Sequence, residues 1–200
     1  MAISESEFIF MLEKSIIKYF QSQVPTITVN AESKTVNIFA DYPRLFKSKH
    51  RPSISMEITA HSYEPIALGN FIGTPGVSGS YATDQWGYKV PFTLTMHIVA
   101  GSAMERRKLD GVIDELLIKL ADGRGSLAIY EFSSDLDVTG TDSGLRASVV
   151  AYNRMNSVST EDPDKEDYMS VKSIEMQSFY ITLETAYPVS GFNYENDIQV

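Results

Sequence analysis

The chain contains no cysteine, which excludes disulfide bonds, thiolate metal sites and cysteine nucleophiles together. No segment approaches the roughly 18 consecutive apolar residues that a membrane-spanning helix needs. The amino terminus carries Glu5 and Glu7 where a signal peptide has basic and apolar regions, so we expect the chain to be made and kept in a cytoplasm. Stability must then come from packing or from assembly.

Positive charge is also scarce. The 17 lysines and arginines stand against 26 aspartates and glutamates, which gives a formal net charge of -9. That balance argues against a protein whose main task is to grip nucleic-acid phosphates. With 43% hydrophobic residues, 200 residues are enough for one domain with a real core, and we treat residues 1–200 as a single domain.

The clearest pattern lies at residues 88–121, where an alternating strand runs into an amphipathic helix. Five apolar side chains occupy every second position of the strand: Val90, Phe92, Leu94, Met96 and Ile98. Gly101 then interrupts the strand, and Ser102 with Glu105 has the spacing of a capping box, so we expect the helix to begin near Ala103. Its apolar stripe is Leu109, Val112, Ile113, Leu116, Leu117 and Leu120.

Similar patterns place the remaining elements of the first half. Ser4 and Glu7 form a second capping-box spacing, which predicts a helix to about Gln21. Residues 24–30 and 35–40 alternate around a polar turn at 31–34, which predicts a hairpin, and residues 52–61 predict a half-buried strand. Residues 62–87 are rich in glycine and proline and predict a long loop or extended arm.

The second half reads as an insertion followed by a closing strand. Residues 122–173 predict a β-hairpin insertion and then an acidic, flexible loop. Residues 174–187 predict a final strand, and we expect the face that contains Glu175, Gln177, Phe179, Ile181 and Leu183 to point into the core. Together these elements predict an α+β fold: a mostly antiparallel sheet flanked by the amino-terminal helix and one long central helix.

Three candidate chemical sites fail on spacing. The glycine-rich run at residues 73–79 lacks the Gly-Lys-Ser/Thr ending of a phosphate-binding loop, and no strand-to-helix junction surrounds it. Asp135, Asp137 and Gly140 match part of a calcium loop, but position twelve is Arg146, so a hairpin turn is the better interpretation. The three histidines lie in separate segments without triad or metal-ligand spacing. We therefore predict no catalytic residue, cofactor or metal site, and a protein that is not an enzyme.

Three features instead favour contacts with other proteins. A basic cluster interrupts an otherwise acidic chain and can dock an acidic partner, although a solvated loop is the plainer interpretation. The only tryptophan, Trp86, closes the glycine-rich segment. Three cations stand in the first turns of the second helix, where the helix dipole disfavours them. Besides Trp86, the candidate contacts are Arg44, Lys47, Lys49, Arg51, Arg106, Arg107 and Lys108.

The order of elements, and above all the segment FTLTMHIVAGSAMERRKLDGVIDELL at residues 92–117, resembles the tail terminator and tail-completion proteins of tailed bacteriophages. The closing strand around residues 179–186 adds to the likeness. In that family an amino-terminal helix precedes a sheet, the central strand enters a helix after a short polar junction, and subunits form a ring. The likeness is one of pattern and includes no diagnostic motif.

The resemblance implies a structural virion protein of the tail or neck, assembled in the bacterial cytoplasm. It implies a homohexameric ring that caps the tail tube, ends tail growth and presents a joining surface to the head-side neck. The implied partners are the chain itself, tail tube or sheath proteins, head-completion or neck proteins, and DNA that passes through the lumen without specific binding. The alternatives are another neck or baseplate component, a non-catalytic adaptor for an acidic partner, and a small-molecule-binding α+β domain.

Overall fold

The computed structural model describes residues 5–40, 51–61, 64–65, 71–78, 81–134, 136–150, 156–162, 167–183 and 187–188. Two helices lie in these residues, α1 (Glu5–Gln23) and α2 (Ala103–Ala121). The strands there are β1 (Thr26–Val29), β2 (Glu32–Thr35), β3 (Asn37–Ala40), β4 (Ser53–Ala60), β5 (Glu64–Pro65), β6 (Phe71–Ser78), β7 (Tyr81–Ala100), β8 (Leu127–Glu131), β9 (Thr141–Val149), β10 (Asn156–Asp162), β11 (Asp167–Leu183) and β12 (Tyr187–Pro188). The predicted α+β class is confirmed.

The main sheet has the strand order β3-β4-β7-β11-β9-β8, and β5, β6, β10 and β12 pair beside this path. Its pairs are antiparallel except β3 with β4, which run parallel. The long strands β7 and β11 form its centre, in register from Ala100 opposite Tyr168 to Gln85 opposite Leu183. A separate antiparallel pair, β1 with β2, stands beside α2.

Both helices bury their apolar faces against the sheet. From α1 the buried side chains include Phe8, Leu12, Ile16 and Phe20; from α2 they include Leu109, Ile113 and Leu117. The alternating apolar residues that predicted β7 are all buried, which confirms that strand and its core face. The apolar stripe therefore fixes which side of each helix meets the sheet.

The start of α2 is as predicted. The Ser102 hydroxyl accepts a hydrogen bond from the Glu105 amide at 3.2 Å, and the Glu105 carboxylate accepts one from the Gly101 amide at 2.9 Å. The first bond satisfies an amide that the first helical turn leaves without a partner, and the second ties the helix start to the residue before its cap. For α1, the predicted cap Ser4 lies outside the described residues.

The predicted hairpin of residues 24–40 is wrong in its second strand. β1 pairs with β2, which contains most of the predicted turn, and the chain reverses at Asn30 and Ala31, both with positive φ. Two consecutive residues with positive φ form a two-residue turn whose backbone twist matches the right-handed twist of the strands that it connects. β3 then leaves the hairpin and pairs with β4. Alternation of apolar and polar residues predicted that these segments are strands, but it did not predict which strands pair, because every strand has the same two-residue period.

Residues 71–78 and 81–87 form paired strands. Of the two predicted alternatives for residues 62–87, a long loop or an extended arm, the loop is therefore wrong for these residues. β6 pairs with β7 from Phe71 opposite Trp86 to Ser78 opposite Tyr81, with register shifts near Gly73 and Gly76. Glycines inside strands often mark such bulges. The breakers in this sequence thus mark irregularities within an extended hairpin.

The acidic segment at residues 153–172 was predicted to be flexible, and its described part is also a hairpin. β10 and the start of β11 pair in seven consecutive positions, from Asn156 opposite Ser173 to Asp162 opposite Asp167. Val158 lies opposite Val171 in this ladder. High charge lowers the expected burial of a segment, which is why the sequence predicted a flexible loop here. The start of β11 is already paired with β7, however, and β10 adds to β11 as one more antiparallel strand.

The predicted core face of β11 is wrong. Ile174, Met176 and Ser178 are buried, whereas Phe179, on the predicted core face, is exposed. Ile174 lies opposite Leu94, and directly opposed residues in an antiparallel ladder share a face. The prediction was wrong because polar residues such as Ser178 alternate with apolar residues on the face that is buried. The Ser178 hydroxyl donates to the Arg146 carbonyl at 3.1 Å, so its burial leaves no unmet hydrogen bond.

Candidate interaction surfaces

Arg51, the described member of the basic cluster's candidate contacts, and the start of α2, which were predicted separately, meet at one recess. Arg44, Lys47 and Lys49 lie outside the described residues, but Arg51 is described and half-buried. It lines a cavity of about 460 Å³, the α2 recess, between the β1–β2 hairpin and the helix start. The described lining residues are Val29, Asn30, Glu32, Lys34, Arg51, Gly101, Ser102 and Glu105.

Inside the α2 recess, the buried Glu105 carboxylate occupies the position where a helix start would attract an anion. Its second oxygen accepts a hydrogen bond from the Lys34 ammonium. This bond with Glu105 raises the pKa of Lys34 above its usual value. The recess therefore contains the Lys34–Glu105 ion pair, and Glu32 and Arg51 are also among its lining residues.

The three cations of the first turn of α2 do not behave alike. Arg106 is buried, while Arg107 and Lys108 are exposed. Asp110, three residues after Arg107, accepts a hydrogen bond from the Ser170 hydroxyl at 2.6 Å on the sheet side of the helix. Arg107 and Lys108 thus remain available to a partner, and their role in a contact stays a prediction.

Trp86 lies in the middle of a three-stranded ribbon. Its backbone pairs with Phe71 of β6 on one side and with Thr182 of β11 on the other. Trp86 therefore lies on a paired strand and not in a loop. Its predicted part in an interface stays a prediction.

The turn between β8 and β9, which we call the tip loop (residues 132–134 and 136–140), is held by one carboxylate. Asp137 accepts hydrogen bonds from the amides and hydroxyls of Ser133 and Thr139 and from the Gly140 amide, at 2.9–3.1 Å. These bonds, led by that from the Ser133 amide, hold the pKa of Asp137 far below its usual value. Asp137 and Gly140, which resembled part of a calcium loop, therefore serve a hairpin turn, as the spacing indicated; Asp135 lies outside the described residues.

Two lysines of α1 fasten the tip loop to the body. Lys14 donates to the Ser134 carbonyl at 3.0 Å and stands 4.4 Å from the centre of the Phe132 ring. Lys18 donates to the Thr139 carbonyl and stands 3.7 Å from the centre of the Tyr130 ring. A cation over an aromatic face adds to each hydrogen bond. The loop is thus fixed at both ends against one side of α1.

The fixed tip loop presents two apolar side chains to solvent. Leu136 is 90% exposed and Val138 is 77% exposed. Sequence reasoning missed both, because single apolar residues in a polar turn are common and usually need no explanation. The signal that could have found them is their spacing around Asp137, a residue type that rigidifies turns.

The sheet face opposite the helices is mainly polar, and one histidine is buried on it. His97 lies directly opposite Ser55, with Glu57 next along the same face of β4. Burial lowers the pKa of His97, and the nearby Glu57 carboxylate opposes this shift. His61, in contrast, is exposed and lies 2.9 Å from the Thr93 hydroxyl. His97 is therefore a packed residue of this sheet face.

Within the described residues, no group of three or more metal-ligating side chains converges, and no helix is long and apolar enough to cross a membrane. No family model matches the chain, and no curated protein matches it. Among solved structures, one chain is similar over 93% of this chain and 99% of its own length. Its sequence identity is 12% and its TM-score is 0.40, values that carry no argument about family or function.

Proposed function

We propose that the chain is a structural virion protein that forms a ring at the end of a bacteriophage tail tube, where it ends tail growth and joins the neck. The proposal rests on the resemblance of residues 92–117 to tail terminator proteins. It is supported by one structural observation, the continuous run of β7 from the core into a long paired arm.

The arm is a continuation of the central strand. β7 is a single strand of 20 residues, which spans about 65 Å at the rise of an extended chain. Its first part, from Tyr81 to Trp86, pairs with β6 on one side, and residues 85–86 also pair with the end of β11 on the other.

The arm also has an edge suited to a neighbour. β6 pairs with β7 on one side, and no strand among the described residues pairs with its other side. Such an edge exposes amides and carbonyls that another copy can pair with. When the same two surfaces join each copy to the next, the assembly closes into a ring if the rotation allows it.

Charge fits passage of DNA through such a ring. The formal net charge of -9 repels a polyanion from the surface instead of holding it. The exposed Arg107 and Lys108, together with Arg51 and its cluster, then provide local docking points for acidic tail or neck proteins. In this proposal the chain is active in the virion and is assembled in the host cytoplasm.

The test is imaging of the assembled state. The full chain is purified and examined by native mass spectrometry and negative-stain electron microscopy, alone and with tail tubes assembled from the tube protein of the same genome. We expect rings, and caps at tube ends that stop further tube growth. A strictly monomeric chain that also fails to bind tubes would overturn the proposal.

An adaptor role is the second candidate, favoured by the position of Arg51 at the mouth of the α2 recess. It predicts that the double charge reversal Lys47→Glu/Lys49→Glu abolishes binding to an acidic partner. Unchanged binding of the tube or neck proteins in that variant would return the cluster to a solvated loop. Another neck or baseplate position is distinguished by which virion protein the chain binds.

A further inference from the structure

The side of α2 that points away from the sheet departs from an ordinary solvent-exposed helix at several positions. Gly111 is exposed in the middle of the helix, although glycine destabilises a helix interior relative to alanine. A Cβ built at Gly111 would meet no described atom within 4 Å, so the packing of the chain itself does not call for a glycine. Met104 is 57% exposed, and the exposed Arg107 and Lys108 stand where the helix dipole disfavours cations. A surface that covers this side of the helix would account for all four residues.

These positions belong to one face, which we call the outer face of α2. It comprises Met104, Arg107, Lys108, Gly111, Asp114, Glu115 and Ile118. At about 100° per residue, all of them lie within about 60° of Gly111 around the helix axis. The buried Leu109, Ile113 and Leu120 lie on the opposite side. Gly111 is therefore at the centre of the outer face, and its lack of a side chain lets another backbone come close.

Charge on the outer face is arranged symmetrically about Gly111. Arg107 and Lys108 lie four and three residues before it. Asp114 and Glu115 lie three and four residues after it. Reversing the direction of the helix about Gly111 therefore exchanges its positive end with its negative end. A second copy of α2, packed antiparallel to the first, has the complementary charge at both ends.

The positions of the charges around the helix agree with the same arrangement. Lys108 and Glu115 lie on one side of the line through Gly111, and Arg107 and Asp114 lie on the other side. A two-fold axis that runs across two antiparallel helices places each side against the same side of the other copy. Lys108 of each copy then meets Glu115 of the other, and Arg107 meets Asp114. A parallel pair would instead bring cations against cations, so the charge pattern selects the antiparallel pair.

Apolar side chains lie at the two ends of this contact. Met104 lies seven residues before Gly111, and the half-buried Ile118 lies seven residues after it. In the antiparallel pair, Met104 of each copy is beside Ile118 of the other. The contact thus removes an exposed apolar side chain from water.

Both carboxylates of the outer face have a partner within the chain, and these partners do not prevent the contact. Lys172 donates to Oδ1 of Asp114, and Lys119 pairs with Glu115. The Asp114 side chain is 41% exposed and that of Glu115 is 67% exposed, so water reaches both. A carboxylate has two oxygens and accepts hydrogen bonds from more than one donor.

We propose that the outer face of α2 is a two-fold contact, in which α2 of a second copy packs antiparallel across Gly111 and holds free chains as dimers. The occupant is a second copy because the charges of this face complement themselves and not a surface of one sign. A two-fold contact is not the head-to-tail contact of the proposed ring, so the inference goes beyond that function. While the dimer is closed it covers Arg107 and Lys108, and a tail or neck protein that docks on them must open it.

A charge exchange tests the contact. Full chains of Lys108→Glu and Glu115→Lys are studied by sedimentation velocity at low ionic strength, without tail tubes, over a dilution series. Each variant alone should dimerise about tenfold more weakly than the wild type, because two attractive contacts become repulsive. An equimolar mixture of the two should recover the association, because both contacts again join opposite charges. Arg146→Glu makes the same charge change at an exposed arginine of β9 and should associate like the wild type.

Gly111→Leu separates the contact from folding. Leucine favours a helix more than glycine does, and the space around this position is open, so the unfolding temperature should stay the same or rise. The dimer should nevertheless weaken about tenfold, because the two backbones can no longer come close. A loss of fold cannot produce these two opposite changes. Unchanged association of Gly111→Leu would show that no helix crosses there and would overturn the contact.

The remaining outcomes distinguish this inference from the proposed function. A wild-type chain that stays monomeric, or a mixture that associates no better than its single variants, would overturn the dimer. Association that ignores the charges at residues 108 and 115, including a ring held by other surfaces, would also overturn it and leave the proposed function standing. A dimer that follows the charge exchange in a chain that never forms rings or caps tubes supports the contact and overturns the proposed function.

Discussion

The Lys172 ammonium on β11 lies 2.8 Å from the Asp114 carboxylate on α2, at the boundary between helix and sheet. It also lies 3.5 Å from Asp110, which accepts a hydrogen bond from Ser170 on the same strand. The lysine side chain is 5% exposed, while those of Asp110 and Asp114 are 22% and 41% exposed. A cation is thus buried in the core face, and carboxylates at the edge of the helix compensate it.

The lysine is more deeply buried than the two carboxylates, and this difference predicts which substitution lowers stability more. Asp110→Asn/Asp114→Asn leaves a buried ammonium without its carboxylates and should lower the free energy of unfolding by about 3 kcal/mol. Lys172→Met removes the buried charge and leaves carboxylates that water can reach, so its cost should be about 1 kcal/mol or less. Urea denaturation at neutral pH measures both.

An exposed pair on the same helix provides the control. Glu115 and Lys119 lie one turn apart, at 2.7 Å, on the outer side of α2. Glu115→Gln also removes one carboxylate from an ion pair, and it should change stability far less than the double asparagine variant, because water screens the exposed pair. If Lys172→Met proved more destabilising than the double asparagine variant, the interpretation of the cluster would be wrong.

Sequence patterns predicted the elements of the fold better than their partners. Apolar periodicity and the Ser102–Glu105 capping box predicted α2 and β7 because these signals are local. The core face of β11 could not be found in the same way, since Ser170 and Lys172 are buried there by contacts with a helix about 60 residues away. Polar side chains hidden by distant partners are invisible to a local pattern.

The same difference between local signals and distant contacts applies to the candidate surfaces. Arg51 and the start of α2 were predicted from local charge, and the fold brings them to one recess. The tip loop with Leu136 was not predicted, because its rigidity depends on Lys14 and Lys18 of a helix more than 100 residues earlier. An exposed apolar residue becomes informative only when its backbone is known to be fixed.

Two glycines of the β8–β9 hairpin, Gly140 in the tip loop and Gly144 in β9, provide a matched pair for testing the tip loop. Gly140 has φ +61, and a Cβ there would lie 2.8 Å from the Phe132 ring and 2.9 Å from the Tyr130 Cβ. Gly144 has φ +81 and open space around it. Gly144→Ala should cost about 1 kcal/mol from its backbone conformation alone, and Gly140→Ala about 3 kcal/mol because the clash adds to it. Equal losses in thermal unfolding would contradict the packing of Phe132 against Gly140.

Asp137 predicts a dependence of stability on acid. Hydrogen bonds, led by that from the Ser133 amide, hold its pKa in the folded chain far below the usual 3.8. A lowered pKa means that the contribution of Asp137 to stability is complete above the unfolded value and is lost as the pH falls below it. The difference in unfolding free energy between the wild type and Asp137→Asn should therefore be constant near neutral pH and shrink below about pH 4. A difference that persists unchanged to about pH 2 would show that the carboxylate bonds do not hold the loop.

His97 predicts a second pH effect, at milder acidity. Burial lowers its pKa below the usual 6.5, so between the two values the unfolded chain binds more protons than the folded chain. The wild type should then lose stability as the pH falls from about 7.5 to about 5.5, and His97→Gln should flatten this slope. Glu57 opposes the shift, so Glu57→Gln should make the loss steeper. Urea denaturation across this range measures the slopes, with the exposed His61→Gln as the matched control. A slope that disappears in His61→Gln but survives in His97→Gln would contradict the role of burial, because His61 is exposed and His97 is buried.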